Sequence, residues 1–458
     1  MTKQFMPNRF DKFQHGIHLY INIKNLEHLV SEDEKDEDMN HIFSLLNTFV
    51  VSMENYIVSN YRDNVYFEKL TGGRIHLIIE DSDYCADQAL DICKYARVLS
   101  KEVVKFQQTQ SISKVDLQFG MDYGAYVDFD FKSDDGYEEY TSIGACANFA
   151  CKLQIEAYPN ELLLSEDALS HLSEENRENI KELDATRQDK IDKQKQYKDI
   201  YCLSLADLCE NLSQDEEEKY EAFIERARQY SNDHPLKNMD TIEPKSFEGN
   251  FTRWNLSNNA AFDAAVVFAD VRGFTKQFNP NNSNLNWLAN LTKQILNEMY
   301  QCCEEHKGIH VQFQGDREQV FFEGKNYENA IVFALELSER IQRDGQKLGI
   351  GVAFGRAYAA SLGKYSERSE LDKQNALIGN VVSYTSRLED ECAKENEIVI
   401  SKKLYDKIDN YSLKKLFEAR DFYYVTSSTY QDFFKLTQNE IQEENHVRDY
   451  RKPWQNHE

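Results

Sequence analysis

The chain repeats one pattern of segments in its two halves, and this repeat is the feature that most constrains its fold. The buried-strand pattern of residues 18–29 recurs at 265–278, and a strand, Gly turn and strand at 66–79 recur at 311–322. The later segments keep the same order and a similar spacing. Self-similarity in one order is the signature of a duplicated structural unit. The sequence therefore predicts two copies of one domain.

Each copy alternates strands with helices. Amphipathic helices are predicted over 39–60 and 84–107 in the first copy and over 285–306 and 327–345 in the second. The remaining matched pairs are the Gly-interrupted strands 115–129 and 348–363, the segments 142–165 and 377–401, and the ends 196–205 and 429–437. Hairpins mixed with helices are typical of an α+β fold, in which helices pack on a mostly antiparallel sheet.

The repeat sets the domain boundaries, with a first domain at 1–205, a linker at 206–255, a second domain at 256–440 and a tail at 441–458. Within the linker, Ser213 and Glu216 have the spacing of a helix capping box, which predicts a helix that extends to about Gln229. The acidic run that opens this helix favours a solvated spacer between the domains. The alternative is a helix that orients the two halves.

Composition narrows the function classes. With 79 acidic and 53 basic residues the net charge is −26, which disfavours nucleic acid and anionic membranes as partners. A polyanionic ligand then needs a local basic pocket or a divalent metal.

No apolar run approaches the ~20 residues of a membrane span, and the first residues lack the apolar core of a signal peptide. Nine scattered cysteines without a CxxC pair are typical of free thiols in a reducing cytoplasm.

Two aspartates in the second half stand where strands end. Asp270 closes an apolar strand and is followed by VRGFT, and Asp316 lies in a Gly-Asp turn between two strands. Carboxylates on adjacent strand ends can bind two hard divalent cations. Main-chain N–H groups around Gly273, Phe274 and Thr275 could then hold a triphosphate, as glycine-bearing turns do.

These motifs resemble the catalytic domain of the class III nucleotidyl cyclases, the adenylate and guanylate cyclases. FADVRGFT, FQGD, GIGVAFG and IGNVVSYTSRLE occur in that family's order and spacing, well over about 260–437 and more weakly over about 16–205. The resemblance implies two ferredoxin-like, class III cyclase-type domains paired as an intramolecular pseudo-twofold dimer. It also implies an active site between them, with metal-binding aspartates from one domain and substrate-binding residues from the other.

The metal-binding roles of the family fall on the second half. Asp270 and Asp316 match the metal-binding aspartates, and the metal site includes Val271. The implied cofactors are two divalent cations, Mn²⁺ or Mg²⁺. The first half has Asn22 and Gly73 at the matching positions, so it cannot bind the metals in the usual way.

The substrate-binding roles fall mainly on the first half. They are base reading by Lys69 and Thr141, ribose orientation by Asn148, transition-state stabilisation by Lys152 in place of the usual Arg, and triphosphate binding by Lys195 with Lys193 beside it. The second half has at these places Gln312, Ala376, Ser383, Arg387 and, near the end, Thr426 and Ser428. The resemblance therefore implies one composite active site per chain and an inactive mirror-image site.

Several of these residues also have an ordinary structural interpretation. Lys69 could be a surface residue, Asn148 a buried polar group bonded locally, and Lys193 and Lys195 part of a solvated loop. Arg387 is a candidate substrate-binding residue, with a structural role in the mirror-image site as the alternative.

The base-reading pair indicates which nucleotide fits. Lys69 only donates hydrogen bonds, whereas Thr141 can donate or accept. Adenine and cytosine present a ring-nitrogen acceptor beside an amine donor, and guanine and uracil reverse this pattern. The pair therefore favours ATP or CTP.

Two cyclase domains fill the chain, and in this respect it resembles the stand-alone pyrimidine cyclases of bacterial Pycsar anti-phage systems. That resemblance implies a cytoplasmic enzyme that converts CTP, the preferred nucleoside triphosphate, to cyclic CMP and pyrophosphate. Cyclic CMP would then activate a separate effector. UTP remains an alternative substrate, and ATP would make the chain an adenylate cyclase. A further alternative is an inactive pseudo-cyclase that senses a nucleotide. The active unit is expected to be a monomer with its internal pseudo-dimer, or a homodimer.

Overall fold

The computed structural model describes residues 13–24, 26, 36–106, 114–133, 136–191, 199–234, 260–278, 284–363 and 374–439. Each half forms a mixed α+β layer structure around one eight-stranded sheet. The α+β class predicted from the alternation of strands and helices is therefore confirmed.

Within the described residues, the first half contains eight strands and seven helices. They are β1 (Phe13–Ile23), α1 (Asp36–Tyr61), β2 (Val65–Thr71), β3 (Arg74–Glu80), α2 (Cys85–Phe106), β4 (Leu117–Lys132), β5 (Glu138–Ile143), α3 (Ala145–Glu156), β6 (Glu161–Ser165), α4 (Glu166–Ser170), α5 (Glu174–Arg177), β7 (Lys181–Glu182), α6 (Ala185–Ile191), β8 (Ile200–Ser204) and α7 (Leu205–Leu208).

A connecting helix, α8 (Gln214–Asp233), precedes the second half. The second half consists of β9 (Ala260–Val271), a 3₁₀ turn (Phe274–Gln277), α9 (Leu285–Glu305), β10 (Ile309–Gln314), β11 (Arg317–Glu323), α10 (Tyr327–Arg343), β12 (Leu348–Leu362), β13 (Gln374–Ile378), α11 (Asn380–Arg387) with a π turn (Leu388–Cys392), β14 (Glu397–Ser401), α12 (Lys402–Lys407), α13 (Tyr411–Lys415), β15 (Glu418–Arg420) and β16 (Tyr423–Thr426).

The two sheets have the same strand order. It is β2-β3-β1-β4-β6-β8-β7 in the first half and β10-β11-β9-β12-β14-β16-β15 in the second, with β5 paired to β4 and β13 to β12. All neighbours are antiparallel except β4 with β6 and β12 with β14. The duplication predicted from the sequence is therefore a duplication of topology.

The sheet order corrects the match between the ends of the two halves. Strand β8 occupies the place of β16, whereas residues 430–439 are helical. The chain between β7 and β8, which includes 185–198, has no counterpart where β15 turns directly into β16. The pairing of 196–205 with 429–437 was therefore wrong, and Thr426 and Ser428 are not the counterparts of Lys195.

Two glycines at equivalent positions explain the Gly-interrupted strands. A Cβ atom on Gly120 of β4 would lie 2.3 Å from the carbonyl oxygen of Ala150, and one on Gly351 of β12 would lie 2.7 Å from that of Thr385. Only glycine lets helices α3 and α11 approach the sheet so closely. The strands themselves are continuous, and the glycines fix the helices that carry candidate site residues.

The two halves exchange β hairpins. The core of the first half includes Tyr358, Leu362, Ala376 and Ile378 of β12 and β13. The core of the second half includes six residues of the first half, namely Ala125, Val127, Phe129, Phe131, Tyr137 and Ile143. Burial of one large apolar side chain contributes about 1.5–3 kcal/mol, so these hairpins stabilise a pseudo-twofold pair within one chain.

Helix α8 belongs to the first half. Ser213 and Glu216 form the predicted capping box, but the interpretation as a solvated spacer was wrong. Tyr220, Phe223 and Ile224, with Ala227, are buried in the first core. They follow the i, i+3, i+4, i+7 spacing of an apolar helix face, which the surrounding charges obscure in the sequence.

Among the described residues, one helical stretch is long and apolar enough to cross a membrane: Met39–Tyr61 of α1, with mean hydropathy 1.2. The expectation that no apolar run approaches this length was therefore wrong. Of its most apolar window, 72% is buried inside the protein, as in a helix of a globular core. It is apolar because α2, α8 and strand β12 of the second half pack against it.

Candidate active site

Two carboxylates meet at one end of the second sheet. Asp270 is the next-to-last residue of β9, and Asp316 follows Gly315 in the turn between β10 and β11. Gly315 has a φ of 68°, a left-handed conformation that glycine adopts without strain. The sheet register places Asp270 opposite Arg317, so the two carboxylates lie side by side as the sequence predicted.

Burial and like charge make these carboxylates difficult to ionise together. Burial raises the pKa of Asp270 to about 7, and repulsion from Asp316 adds to the shift. Burial likewise raises the pKa of Asp316 to about 7, with a smaller contribution from Glu389. A bound cation would relieve this repulsion.

Three residues that the sequence analysis missed surround the pair. Arg272 contacts Asp270 at 3.2 Å and Glu389 at 2.7 Å, and Arg317 contacts the other oxygen of Glu389 at 2.7 Å. Both arginines lie within two residues of an aspartate in the motifs VRGFT and GDR, and Glu389 ends SRLE. Their proximity in the sequence was visible, but the ion-pair network depends on the packing of α11 against the sheet.

The donor set fits divalent cations that keep several ligands from outside the protein. Within the described ranges, no group of three or more His, Cys, Asp or Glu side chains could hold a metal. Mg²⁺ is commonly bound through one or two carboxylates, with water and substrate phosphates completing its shell. Asp270 and Asp316 could supply these carboxylates. Val271 has an apolar side chain, so only its carbonyl oxygen could contribute.

The turn after β9 carries the predicted triphosphate contacts. Gly273 has a φ of 76° and begins the 3₁₀ turn, and Phe274 is buried beneath it. The buried ring anchors the turn next to Asp270. Thr275 of this turn points its hydroxyl toward the first half.

Asn148 reaches across the interface to this turn. It lies on α3 of the first half, and its side-chain nitrogen donates to the Thr275 hydroxyl at 3.1 Å. The bond spans 127 residues of sequence. The interpretation of Asn148 as a locally bonded polar group was therefore wrong, because the partner belongs to the other half.

Lys69 is buried at the same interface, with 7% of its surface exposed. Its ammonium group donates to Glu139 on β5 and to the carbonyl oxygen of Phe313 in the second half. A surface role for Lys69 is therefore excluded. The register confirms its counterpart, because Lys69 lies opposite His76 as Gln312 lies opposite Gln319.

Thr141 is fully buried on β5, and its hydroxyl has no hydrogen-bond partner in the part of the chain that the structure describes. It is two residues from Glu139, so both side chains lie on one face of the strand. Glu139 contacts Lys69. Thr141 therefore shares a strand face with the buried carboxylate that contacts Lys69.

Glu139 belongs to a buried series of charged side chains that the sequence analysis did not identify. Its second oxygen contacts His310 at 3.1 Å, and the other ring nitrogen of His310 contacts Glu318 at 2.9 Å. Burial alone would lower the pKa of His310, but hydrogen bonds to the two carboxylates raise it to about 9. His310 is therefore held as a cation between Glu139 of the first half and Glu318 of the second.

This cation predicts a pH-dependent stability. Because the His310 pKa rises from 6.5 to about 9 on folding, its stabilisation is complete below about pH 6.5 and is lost as the pH approaches 9. At 1.36 kcal/mol per pKa unit, the loss is about 3 kcal/mol. Among the described residues, the titratable groups that face His310 are Glu139, Glu318 and the phenols Tyr137 and Tyr300, and the Phe313 ring packs beside it.

Urea unfolding from pH 6 to 10 would measure this effect as the difference in unfolding free energy between the wild type and His310→Gln. The difference should shrink as the pH rises through this window. A difference that stays constant with pH would contradict a charged His310.

The sequence analysis named four further substrate residues. Lys152 is exposed on α3, one helical turn after Asn148, and so lies on the same helix face. Arg387 is exposed at the end of α11. Lys193 and Lys195 lie outside the described residues. The roles of all four stay predictions.

The mirror-image side of the interface contains a cavity of about 170 Å³. Its polar lining consists of Asn22, Lys24, Thr71, Arg74, Gln314, Arg317, Gln319, Ser383 and Ser386. Asn22 opposes Arg74 as Asp270 opposes Arg317, so the predicted loss of the metal carboxylate at this site is confirmed. Gln312, Ala376 and Arg387, which were expected here, do not line the cavity.

Comparison with known proteins gives the fold a context. Neither a protein-family model nor a curated protein sequence matches the chain. Among solved structures, a class III adenylyl cyclase-like ATP-binding protein from Pseudomonas aeruginosa is similar with a TM-score of 0.71 and 16% identity, over 95% of this chain and 93% of its own. The adenylyl cyclase CyaB from P. aeruginosa matches 37% of this chain with 21% identity and a TM-score of 0.30. The guanylyl cyclase Cya2 matches 42%, with 12% identity and a TM-score of 0.35.

The first of these matches covers 95% of the chain, so it includes both halves. The chain therefore has the fold of the class III nucleotidyl cyclases in tandem form, as the sequence motifs predicted. Identities at this level establish the fold, and the chemistry depends on the site residues.

Proposed function

We propose that the chain is a nucleotidyl cyclase with one composite active site between its halves. The observation that carries the proposal is the contact of Asn148 with Thr275. It brings the predicted ribose-orienting residue of the first half to the turn that follows Asp270. On the mirror-image side Asn22 and Gly73 replace the carboxylates, so only one of the two sites has the groups for the reaction.

In the proposed reaction the ribose 3′-hydroxyl loses its proton to solvent and its oxygen attacks the α-phosphorus, while the bond from this phosphorus to the bridging oxygen of pyrophosphate breaks and pyrophosphate leaves. When bound to Asp270 and Asp316, two divalent cations would supply activation of the 3′-oxygen and neutralisation of the triphosphate. Asn148 orients the ribose. Lys152 stabilises charge at the α-phosphate, and Lys195 stabilises the leaving pyrophosphate.

The preferred substrate in this proposal is CTP. Lys69 has three ammonium protons, and the described contacts use two of them. The third can donate to the ring-nitrogen acceptor of cytosine or adenine, while the unpaired Thr141 hydroxyl can accept from the exocyclic amine. Cyclic CMP from such a cytoplasmic enzyme would serve as a second messenger in anti-phage defence and act on a separate effector.

ATP is the second candidate, because the solved structure that covers both halves is described as an ATP-binding protein. The same description leaves open binding without turnover, in which case the chain would be a nucleotide sensor. The intact carboxylate pair favours catalysis, because a sensor has no need for two repelling carboxylates that a metal must neutralise.

Incubation of the purified chain with CTP, UTP, ATP and GTP in turn, with Mn²⁺ present, tests the proposal. We expect mass spectrometry to detect cyclic CMP as the main product and cyclic AMP as the second. Cyclic UMP and cyclic GMP should form at least about tenfold more slowly, because a reversed hydrogen-bond pattern leaves buried groups unpaired. Cyclic AMP as the main product would make the chain an adenylate cyclase. Binding without any cyclic product would identify a pseudo-cyclase.

A further inference from the structure

Glu139 is a carboxylate at the interface of the two halves with four hydrogen-bond partners among the described residues. One oxygen accepts from the Lys69 ammonium and, at 2.8 Å, from the main-chain N–H of Phe313. The other accepts from the Tyr137 hydroxyl and pairs with His310. A carboxylate has about four acceptor positions, and all four are used. Glu139 therefore has no capacity left to bind a ligand itself.

The charge of Glu139 is fixed by its neighbours. Although burial alone would raise its pKa, Lys69 and His310 lower that pKa to about 2. Glu139 is thus a buried anion between a cation of the first half and a cation of the second. A buried anion of this kind orients the hydrogen-bond donors around it, because each of them would lose its partner by turning away.

This buried series of charged side chains occurs on only one side of the pseudo-twofold axis. The sheet registers identify the equivalent positions in the two hairpins. His310 lies opposite Val320, and Phe67 lies opposite Leu77 at the same place in the first half. Glu318 lies opposite Phe313, and Ile75 likewise lies opposite Leu70. On the other side Gln312 replaces Lys69, Gln374 replaces Glu139, Phe67 replaces His310 and Ile75 replaces Glu318. A contact needed only to join the halves could occur on both sides. This one occurs only where the proposed active site lies.

We infer that Glu139 is a positioning residue for base recognition, which holds the Lys69 ammonium through a charged contact that His310 of the second half completes. The inference rests on the proposed function and deepens it. With two of its protons directed to Glu139 and to the Phe313 carbonyl oxygen, Lys69 presents a single N–H to the nucleobase. Selectivity for a ring-nitrogen acceptor then depends on residues of both halves.

Binding of 3′-deoxy nucleoside triphosphates, which lack the reacting hydroxyl, tests this without turnover. Calorimetry with Mn²⁺ and the 3′-deoxy forms of CTP, ATP, UTP and GTP would give the base selectivity of the full chain. Glu139→Gln should weaken binding of the preferred nucleotide by about tenfold, the loss expected for one charged hydrogen bond. It should also bring the four affinities close together.

A double-mutant cycle shows whether Glu139 acts through Lys69. In a Lys69→Met background, Glu139→Gln should change the affinities by less than about twofold, because the ammonium that it positions is gone. Glu336→Gln is a matched control, since Glu336 pairs with His306 at 2.7 Å on the helices of the second half. This control should leave the selectivity unchanged.

His310→Gln gives a second, independent variant in case Glu139→Gln does not fold, and thermal melting checks the fold of each. His310→Gln should reduce the selectivity among the four nucleotides, as Glu139→Gln does. Additive effects of Lys69→Met and Glu139→Gln, or unchanged selectivity in folded Glu139 and His310 variants, would overturn the inference. Selective binding without cyclic product from ordinary nucleotides would overturn the proposed function and leave the inference standing.

Discussion

Replacing Asp270 or Asp316 by Ala should abolish the formation of cyclic nucleotide, with a loss of at least about 10³-fold in each case, because the metals that supply transition-state charge stabilisation would lose a ligand. The fold should persist. Both side chains lie at strand ends and repel each other, so their removal relieves a repulsion. Mass spectrometry of product formed from CTP and ATP with Mn²⁺ measures the loss.

Asp263→Ala is the matched control for this prediction. Asp263 is exposed on the same strand as Asp270 and lies seven residues earlier, so its removal should leave activity and melting temperature unchanged. Wild-type activity in Asp270→Ala or Asp316→Ala would refute the assignment of the metal site.

Asn148→Ala should lower activity by about 10²-fold, because a misplaced 3′-oxygen loses the alignment on which the reaction depends. If the site lies within one chain, mixing Asn148→Ala with Asp270→Ala should restore nothing, since neither chain has an intact site. A site formed between two chains would instead combine the intact residues of each, and the mixture would be active.

Ser383→Ala is the control for the second half, because Ser383 is the counterpart of Asn148 and lines the mirror-image cavity. The composite arrangement predicts near wild-type activity for this variant. The rival arrangement, a homodimer of second halves with Gln312, Ser383 and Arg387 in the substrate roles, predicts the reverse: a strong loss in Ser383→Ala and little change in Asn148→Ala.

The sequence predicted the local elements well because each depends on nearby residues. The helical period at 285–306 matches α9 to within one residue, and the period at 39–60 matches α1 to within three. The Gly-Asp turn placed Asp316 correctly, because a hairpin turn needs a left-handed glycine and the strand pattern on each side sets its register. The same register confirmed the assignments of Asn22 and Gln312.

Features that depend on tertiary contacts were not visible in the sequence. Glu139 and His310 are 171 residues apart, and neither lies in a motif, so nothing local connects them. The exchange of hairpins also escaped prediction, since an apolar strand does not reveal which core it joins. Helix α8 was misinterpreted because its charged residues outnumber the five positions that are buried against the protein.

The exchange of hairpins gives the first half a structural role in the core of the second. This role does not depend on carboxylates at the positions of Asn22 and Gly73. The hairpin β4–β5 of the first half packs into the core of the second half and carries Glu139 and Thr141. After a gene duplication, a copy without such carboxylates can therefore still be kept by selection, because its hairpin supplies six side chains to the core of its partner. Division of labour between the copies is then a consequence of shared cores, and either half constrains the divergence of the other.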